Sequence, residues 1–300
     1  MGTSSLARVV MASLGVSVVV TLGCVPPPPA PTPVGTPTST PAPAPEPSAA
    51  QRNAALALFD AAAVHAAVTT FPLYYGTDYG KAMWTNGPCD FGQGSMQGSV
   101  DGGVAPTPGT FLPTGSHTYV VSFSNCPVNW WGSEVFELNG VASAAYNVAE
   151  WRNITATVSA DSVRGKDMAT GWSALSNDVT ADGSAVWTRS SNNSTYTPAT
   201  GSRLVNNSTA NVATFGGGSS STISTISQGG PSTSTQRFDN LKVAINGTEY
   251  TLNGSLVETH GSRITFAGEI QIITNGMLAA RIVGDGYNLR VEVHIPLVPL

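Results

Sequence analysis

Charge is what this sequence has least of. Lys, Arg, Asp and Glu make up 10% of its 300 residues, against ~25% in an average soluble domain. The net charge is -5 and no cluster of Lys or Arg occurs, which argues against a nucleic-acid partner, since such partners need a basic patch. Catalytic signatures are missing too. There is no His-Glu-x-x-His, no Cys-x-x-Cys, and no phosphate-cradling glycine loop with its lysine. The nearest approach to a nucleophile elbow, "GSMQG" at 94–98, has its serine one place too early. "SNDVTADGS" (176–184) and "GDGYN" (284–288) read as short acidic turns, and neither supplies the spaced oxygens of a calcium loop.

Histidine is sparse, with single residues at 65, 117, 260 and 294. His260 stands near Glu258 and Arg263, a trio suited to acid–base work or to a solvated strand corner. His294 alternates with Glu292 and Arg290, which puts all three on the polar face of one strand. No catalytic residue, metal site or cofactor is expected.

Cysteine is rare, and its count is odd: Cys24, Cys89 and Cys126. The first closes an apolar run. Residues 1–23 read as a signal peptide, with Arg8 ahead of an apolar core from Val9 to Val20. That core of roughly 12 residues falls short of the ~20 that span a bilayer. It leads into Thr21-Leu22-Gly23-Cys24. These residues resemble the lipobox of bacterial lipoproteins, where cleavage falls before a cysteine that carries diacylglycerol. Gly23 and Cys24 match that pattern; Thr21 stands where leucine is usual, and Leu22 is larger than the usual Ala or Ser. The resemblance implies lipid on Cys24, the membrane as a partner, and a place in the cell envelope, most simply the outer membrane. It covers about two dozen residues.

With Cys24 set aside, Cys89 and Cys126 form an even pair, as an oxidising compartment favours. Residues 24–48 hold the cysteine and a proline-rich linker, "VPPPPAPTPVGTPTSTPAPAPEPS", too poor in apolar residues to fold. Extended at ~3.1 Å per residue, it is a stalk of up to roughly 70 Å.

Residues 49–300 are expected to form one β-rich domain. "SAAQRNAALALFDAAAVHAAVTT" (48–70) is the one good helix candidate, capped by Ser48 and stopped by Pro72. Beyond Phe71, short alternating runs divided by Gly, Asn, Asp and Pro predict antiparallel strands. Asn-Gly pairs at 246–247 and 275–276 predict hairpin turns. Residues 192–236, polar and rich in Ser and Thr, fit either a flexible loop or long polar strands. The expected fold is mainly β: a large curved antiparallel sheet, a half-barrel or a sandwich, with one N-terminal α-helix.

A weak repeat runs through it. Phe123, Asn125 and the Leu-Asn-Gly of 138–140 correspond to Phe238, Asn240 and the Leu-Asn-Gly of 252–254, suggesting duplication of a half-domain over about 117–190 and 237–296. In that reading Asn125 and Asn240 serve turns. Trp130 and Trp131 would point to opposite faces of a strand, one packed and one open to a ligand.

These signals favour a non-catalytic, lipid-anchored envelope protein. The alternatives are a carrier of lipid or another apolar ligand held between helix and sheet, or, less favoured, a secreted hydrolase. An apolar ligand and another envelope protein are the candidate partners beyond the membrane.

Overall fold

The computed structural model describes residues 46–77, 86–87, 89, 94–104, 114–130, 134–150, 153–167, 178–190, 193–225 and 230–300. The segment read as a signal peptide, Cys24 and the expected linker up to residue 45 lie outside this set. One helix, α1 (Ala49–Thr77), precedes the strands β1 (Asn86–Gly87), β2 (Ser95–Val100), β3 (Gly103–Val104), β4 (Gly115–Trp130), β5 (Glu134–Glu150), β6 (Asn153–Asp167), β7 (Asp178–Ser190) and β8 (Asn193–Pro198). They continue as β9 (Ser202–Asn206), β10 (Asn211–Phe215), β11 (Ser219–Thr225), β12 (Ser232–Ile245), β13 (Thr248–His260), β14 (Ile264–Thr274), β15 (Met277–Gly286) and β16 (Asn288–Val293). The described residues are thus mainly β, with one N-terminal helix and a single large antiparallel sheet.

Ser48 caps α1, accepting from the Gln51 N–H at 3.3 Å. The helix does not end at Pro72, as the sequence suggested, but runs on to Thr77. A proline removes one backbone bond and crowds the carbonyl four residues earlier; packing along the rest of the helix can outweigh that. From Ala54 to Thr69 no described side chain is exposed. A helix with no polar side must be surrounded, and α1 touches β4, β5, β6, β7, β9, β11, β15 and β16. β4 lies near one end of the strand order and β16 is the other end. At ~4.8 Å between neighbouring strands, a flat sheet could not bring both to one helix, so the sheet curves round it. Alanines at 54, 55, 57, 61 and 62, all buried, let the strands approach closely.

The sheet is mostly a meander: β4 to β8 and β11 to β16 each pair with the next strand, whereas β2 pairs with both β3 and β4. β8 lies along the second half of β7 and β9 along its first half, and likewise β10 lies along the second half of β12 and β11 along its first half. The described part of the Ser/Thr-rich region is therefore mostly strand, joined by short turns. Both Asn-Gly turns form, with φ of 49° and 80° at Asn246 and Gly247, and 49° and 72° at Asn275 and Gly276. "SNDVTADGS" is not a turn: from Asp178 onward it is the first half of β7, where Asp178 and Asp182 pair with Arg164 and Arg203.

A crease crosses the strands at mid-length. Register shifts fall between Phe123 and Cys126, Asn139 and Val141, Ala160 and Val163, and Phe238 and Leu241, in line with the breaks between β8 and β9 and between β10 and β11. Bulges bend a strand and raise its twist, which is how long strands wrap a helix. Asn125 and Asn240 sit in two of these bulges at φ 45° and 49°; they are mid-strand, not in turns. The Asn139 side chain accepts from the Asn125 N–H at 2.8 Å, and Asn253 accepts from the Asn240 N–H at 2.7 Å. In each copy a phenylalanine faces a glycine across the ladder: Phe123 with Gly140, and Phe238 with Gly254. The repeated residues thus build the same bulge twice.

Cys89 and Cys126 are joined, with Cα atoms 5.3 Å apart. Cys126 is fully buried just past the β4 bulge, so the bond fastens the segment before β2 to the strand that β2 pairs. Closing a 37-residue separation is worth about 3–4 kcal/mol on the loop-entropy model. Replacing both cysteines by serine is expected to lower stability by about that much, measured by urea unfolding. An unchanged midpoint and unchanged slope would contradict it.

A polar groove at the strand ends remote from the start of the helix

The site residues read from the sequence are dispersed. Cys24 and Trp131 lie outside the described residues. Trp130 is the last residue of β4, paired in register with Glu134. His260 bonds Glu258 at 3.1 Å, while Arg263 lies over the Tyr287 ring, 5.6 Å from its centre, so that trio splits. On the last strand Glu292 is held by Arg281 and Arg290. These arginines and its hydrogen bond hold the Glu292 carboxyl below the usual range. Among the described residues no group of three His, Cys, Asp or Glu side chains is placed to hold a metal ion, and no helix is long and apolar enough to cross a membrane.

His65, on α1, is fully buried. Its Nε2 donates to the Asp182 carbonyl at 3.2 Å, which leaves Nδ1 to accept from the Tyr196 hydroxyl. The ring stacks on Phe215 with centres 4.5 Å apart. Burial pushes its pKa down from 6.5 to about 4. With both nitrogens bonded in the core, it is a packing residue.

The site that the sequence concealed involves His117. Asp101 follows β2 at φ 53°, and its carboxylate accepts from His117 Nδ1 and from the Thr118 N–H, both at 2.8 Å. The hydrogen bond from His117, then that from Thr118, hold the Asp101 carboxyl below its usual range. His117 faces Tyr146 across the ladder, with ring centres 5.6 Å apart. Tyr146 is 2% exposed, and its hydroxyl is buried with no hydrogen-bond partner. Burial pushes its pKa up to about 12, so it stays protonated.

Beside Asp101, the exposed Ser116, Thr118, Ala145, Asn147 and Thr155 line a shallow groove of about 310 Å³, while His117 and Tyr146 alternate with them and turn their side chains to the opposite face of the sheet. Asp101, His117 and Tyr146 are 16 and 29 positions apart, in the turn after β2 and on β4 and β5, and no local pattern joins them. Pairing carries this row to Thr155 of β6 and Thr188 of β7, ten residues beyond Asp178 and so roughly 30 Å along the strand. The start of α1 lies at the opposite end. There Gln51 bonds both the N–H and the carbonyl of Leu297, at 2.6 and 3.2 Å. Asn206 and Asn211, at the Asp178 end, bond the carbonyls of Leu300 and Pro299.

Comparisons of this chain with protein-family models, with curated proteins and with solved structures found no match.

Proposed function

We propose that this chain is a non-catalytic, lipid-anchored protein of a bacterial cell envelope, displaying a β-rich domain on a proline stalk. The observation that carries the reading is Gly23-Cys24 at the close of an export-type apolar run, followed at once by the stalk. The fold agrees with it. The stalk reaches α1 at Ser48, and the groove lies at the far end of the strands. A half-barrel curled about one helix suits display, with one end tethered and the other presented. A carrier of apolar ligands would need room between helix and sheet, where Leu58, Phe59 and the alanines instead lie buried.

The test is the intact mass of the protein extracted from membranes. The expected mass begins at Cys24 and includes acyl chains. Several chains are needed, because one binds membrane only marginally. In a Cys24→Ala chain the lipid mass should vanish and the protein should leave the membrane fraction. A mass that starts at Met1, or at an unlipidated residue, would overturn the reading.

A further inference from the structure

We propose that β16 is a self-association edge, where two copies of this chain join their sheets antiparallel about a two-fold axis at Val291. The backbone bonds show which groups that edge offers. The His294 N–H donates to the Ala279 carbonyl at 2.7 Å, one step beyond the pairing of Val293 with Ala280. Bonded and non-bonded pairs alternate along an antiparallel ladder, so Asn288, Arg290 and Glu292 are the residues bonded to β15. The N–H and C=O groups of Leu289, Val291 and Val293 therefore point away from it. Among the described residues no strand pairs with β16 on that side. The C-terminal residues do not turn back to cover it, since Gln51 bonds Leu297 and Asn206 bonds Leu300 at the end where α1 starts. Natural sheets blunt such edges with very short strands, prolines or lysines. The other edge ends in β1 and β3, two residues each, whereas β16 has six residues and neither proline nor lysine.

The side chains select a second copy as the occupant, and they select one register. Pairing about Arg290 or about Glu292 would set like charges directly opposite, which destabilises. Pairing about Leu289 leaves Glu292 with no residue of β16 opposite, and pairing about Val293 sets Arg290 against Pro296. Only pairing about Val291 sets Arg290 against Glu292 of the second copy and Glu292 against its Arg290. These charges then meet at the closer, non-hydrogen-bonded spacing. Within one copy Arg290 already reaches Glu292 along the strand at 2.8 Å; the second copy adds the contact across it. On the other face the same register sets Leu289 against Val293 of the second copy. Both are half-buried in one copy, and pairing covers them further. The charge pattern of β16 is thus complementary to itself in the register that its free backbone groups allow.

The test is native mass spectrometry of the full chain in a polyoxyethylene detergent, which counts copies once the detergent is stripped. Dimers with a micromolar Kd are expected, as befits a small interface. Arg290→Glu and Glu292→Arg should each weaken the dimer about tenfold or more, because each sets like charges opposite. Mixed together, the two variants should recover a dimer of one copy of each, since every acidic position then faces a basic one. Urea unfolding midpoints check that each variant is folded. Glu292 also bonds Arg281, so if Glu292→Arg unfolds, Arg290→Glu at an exposed residue decides alone. The proposal is overturned if the chain is a monomer throughout, if the dimer survives Arg290→Glu, or if two folded variants fail to pair when mixed. The same spectra read the lipid mass on Cys24, so failure of anchoring and failure of self-association are separate results.

Discussion

Gly218→Ala should lower stability by about 3–5 kcal/mol, while Gly276→Ala should lower it by only about 1–2 kcal/mol. The two glycines form a matched pair, since both have φ of 72°. In the left-handed region a Cβ is penalised whatever surrounds it, and that part of the cost is common to both. They differ in space. A Cβ on Gly276 meets nothing within 4 Å, whereas on Gly218 it would sit 2.0 Å from the Asn240 carbonyl oxygen. That oxygen belongs to the bulge backbone and cannot swing away as a side-chain tip would. Gly94 repeats the arrangement at the other copy of the bulge, where a Cβ would come 1.9 Å from the Asn125 carbonyl oxygen. For a domain of this size, 1 kcal/mol moves the midpoint by about 2–4 °C, so thermal unfolding separates the pair readily. Equal losses at Gly218 and Gly276 would show that the crease yields, and that close packing of backbones does not hold it.

The second large effect is a loss of stability in mild acid. His65 has a pKa of about 4 in the fold and about 6.5 when exposed. Above pH 6.5 it is neutral in both states and contributes no pH dependence. Between 6.5 and 4 the unfolded chain binds a proton that the folded chain refuses, so stability falls as pH falls. The full difference, roughly 3 kcal/mol, is reached near pH 4, and His65 adds nothing further below it. Asp101 and Glu292, whose carboxyls are held low, act in the opposite chemical sense but the same direction. Their contribution is present at neutral pH and is lost only as pH falls through their depressed values. The window from 6.5 to 4 therefore belongs mainly to His65. Urea unfolding at several pH values should show the slope, and His65→Gln should flatten it even if the variant is less stable throughout. A slope unchanged in that variant would assign the acid sensitivity elsewhere.

Several features were legible because they depend on near neighbours. Alternation and Asn-Gly pairs announced antiparallel hairpins, and both turns formed at 246–247 and 275–276. Ser48 and the alanine run placed the start of α1. The Phe-Asn and Leu-Asn-Gly repeat was visible in the letters, but its meaning was not. Asn125 and Asn240 looked like turn residues because the same left-handed backbone serves turns and bulges. Only pairing with β5 and β13 shows which of the two is present.

By itself the sequence determined the scarcity of charge, the strand-and-turn texture and the cysteine pair. Each is a matter of composition or of residues close along the chain. Tertiary structure decided that α1 passes Pro72 and is enclosed from Ala54 to Thr69, because packing from many strands outweighs one lost backbone bond. It also decided that His65 lies in the core while His117 meets Asp101 and Tyr146. Those contacts are set by the register between strands, and no spacing within one strand encodes them.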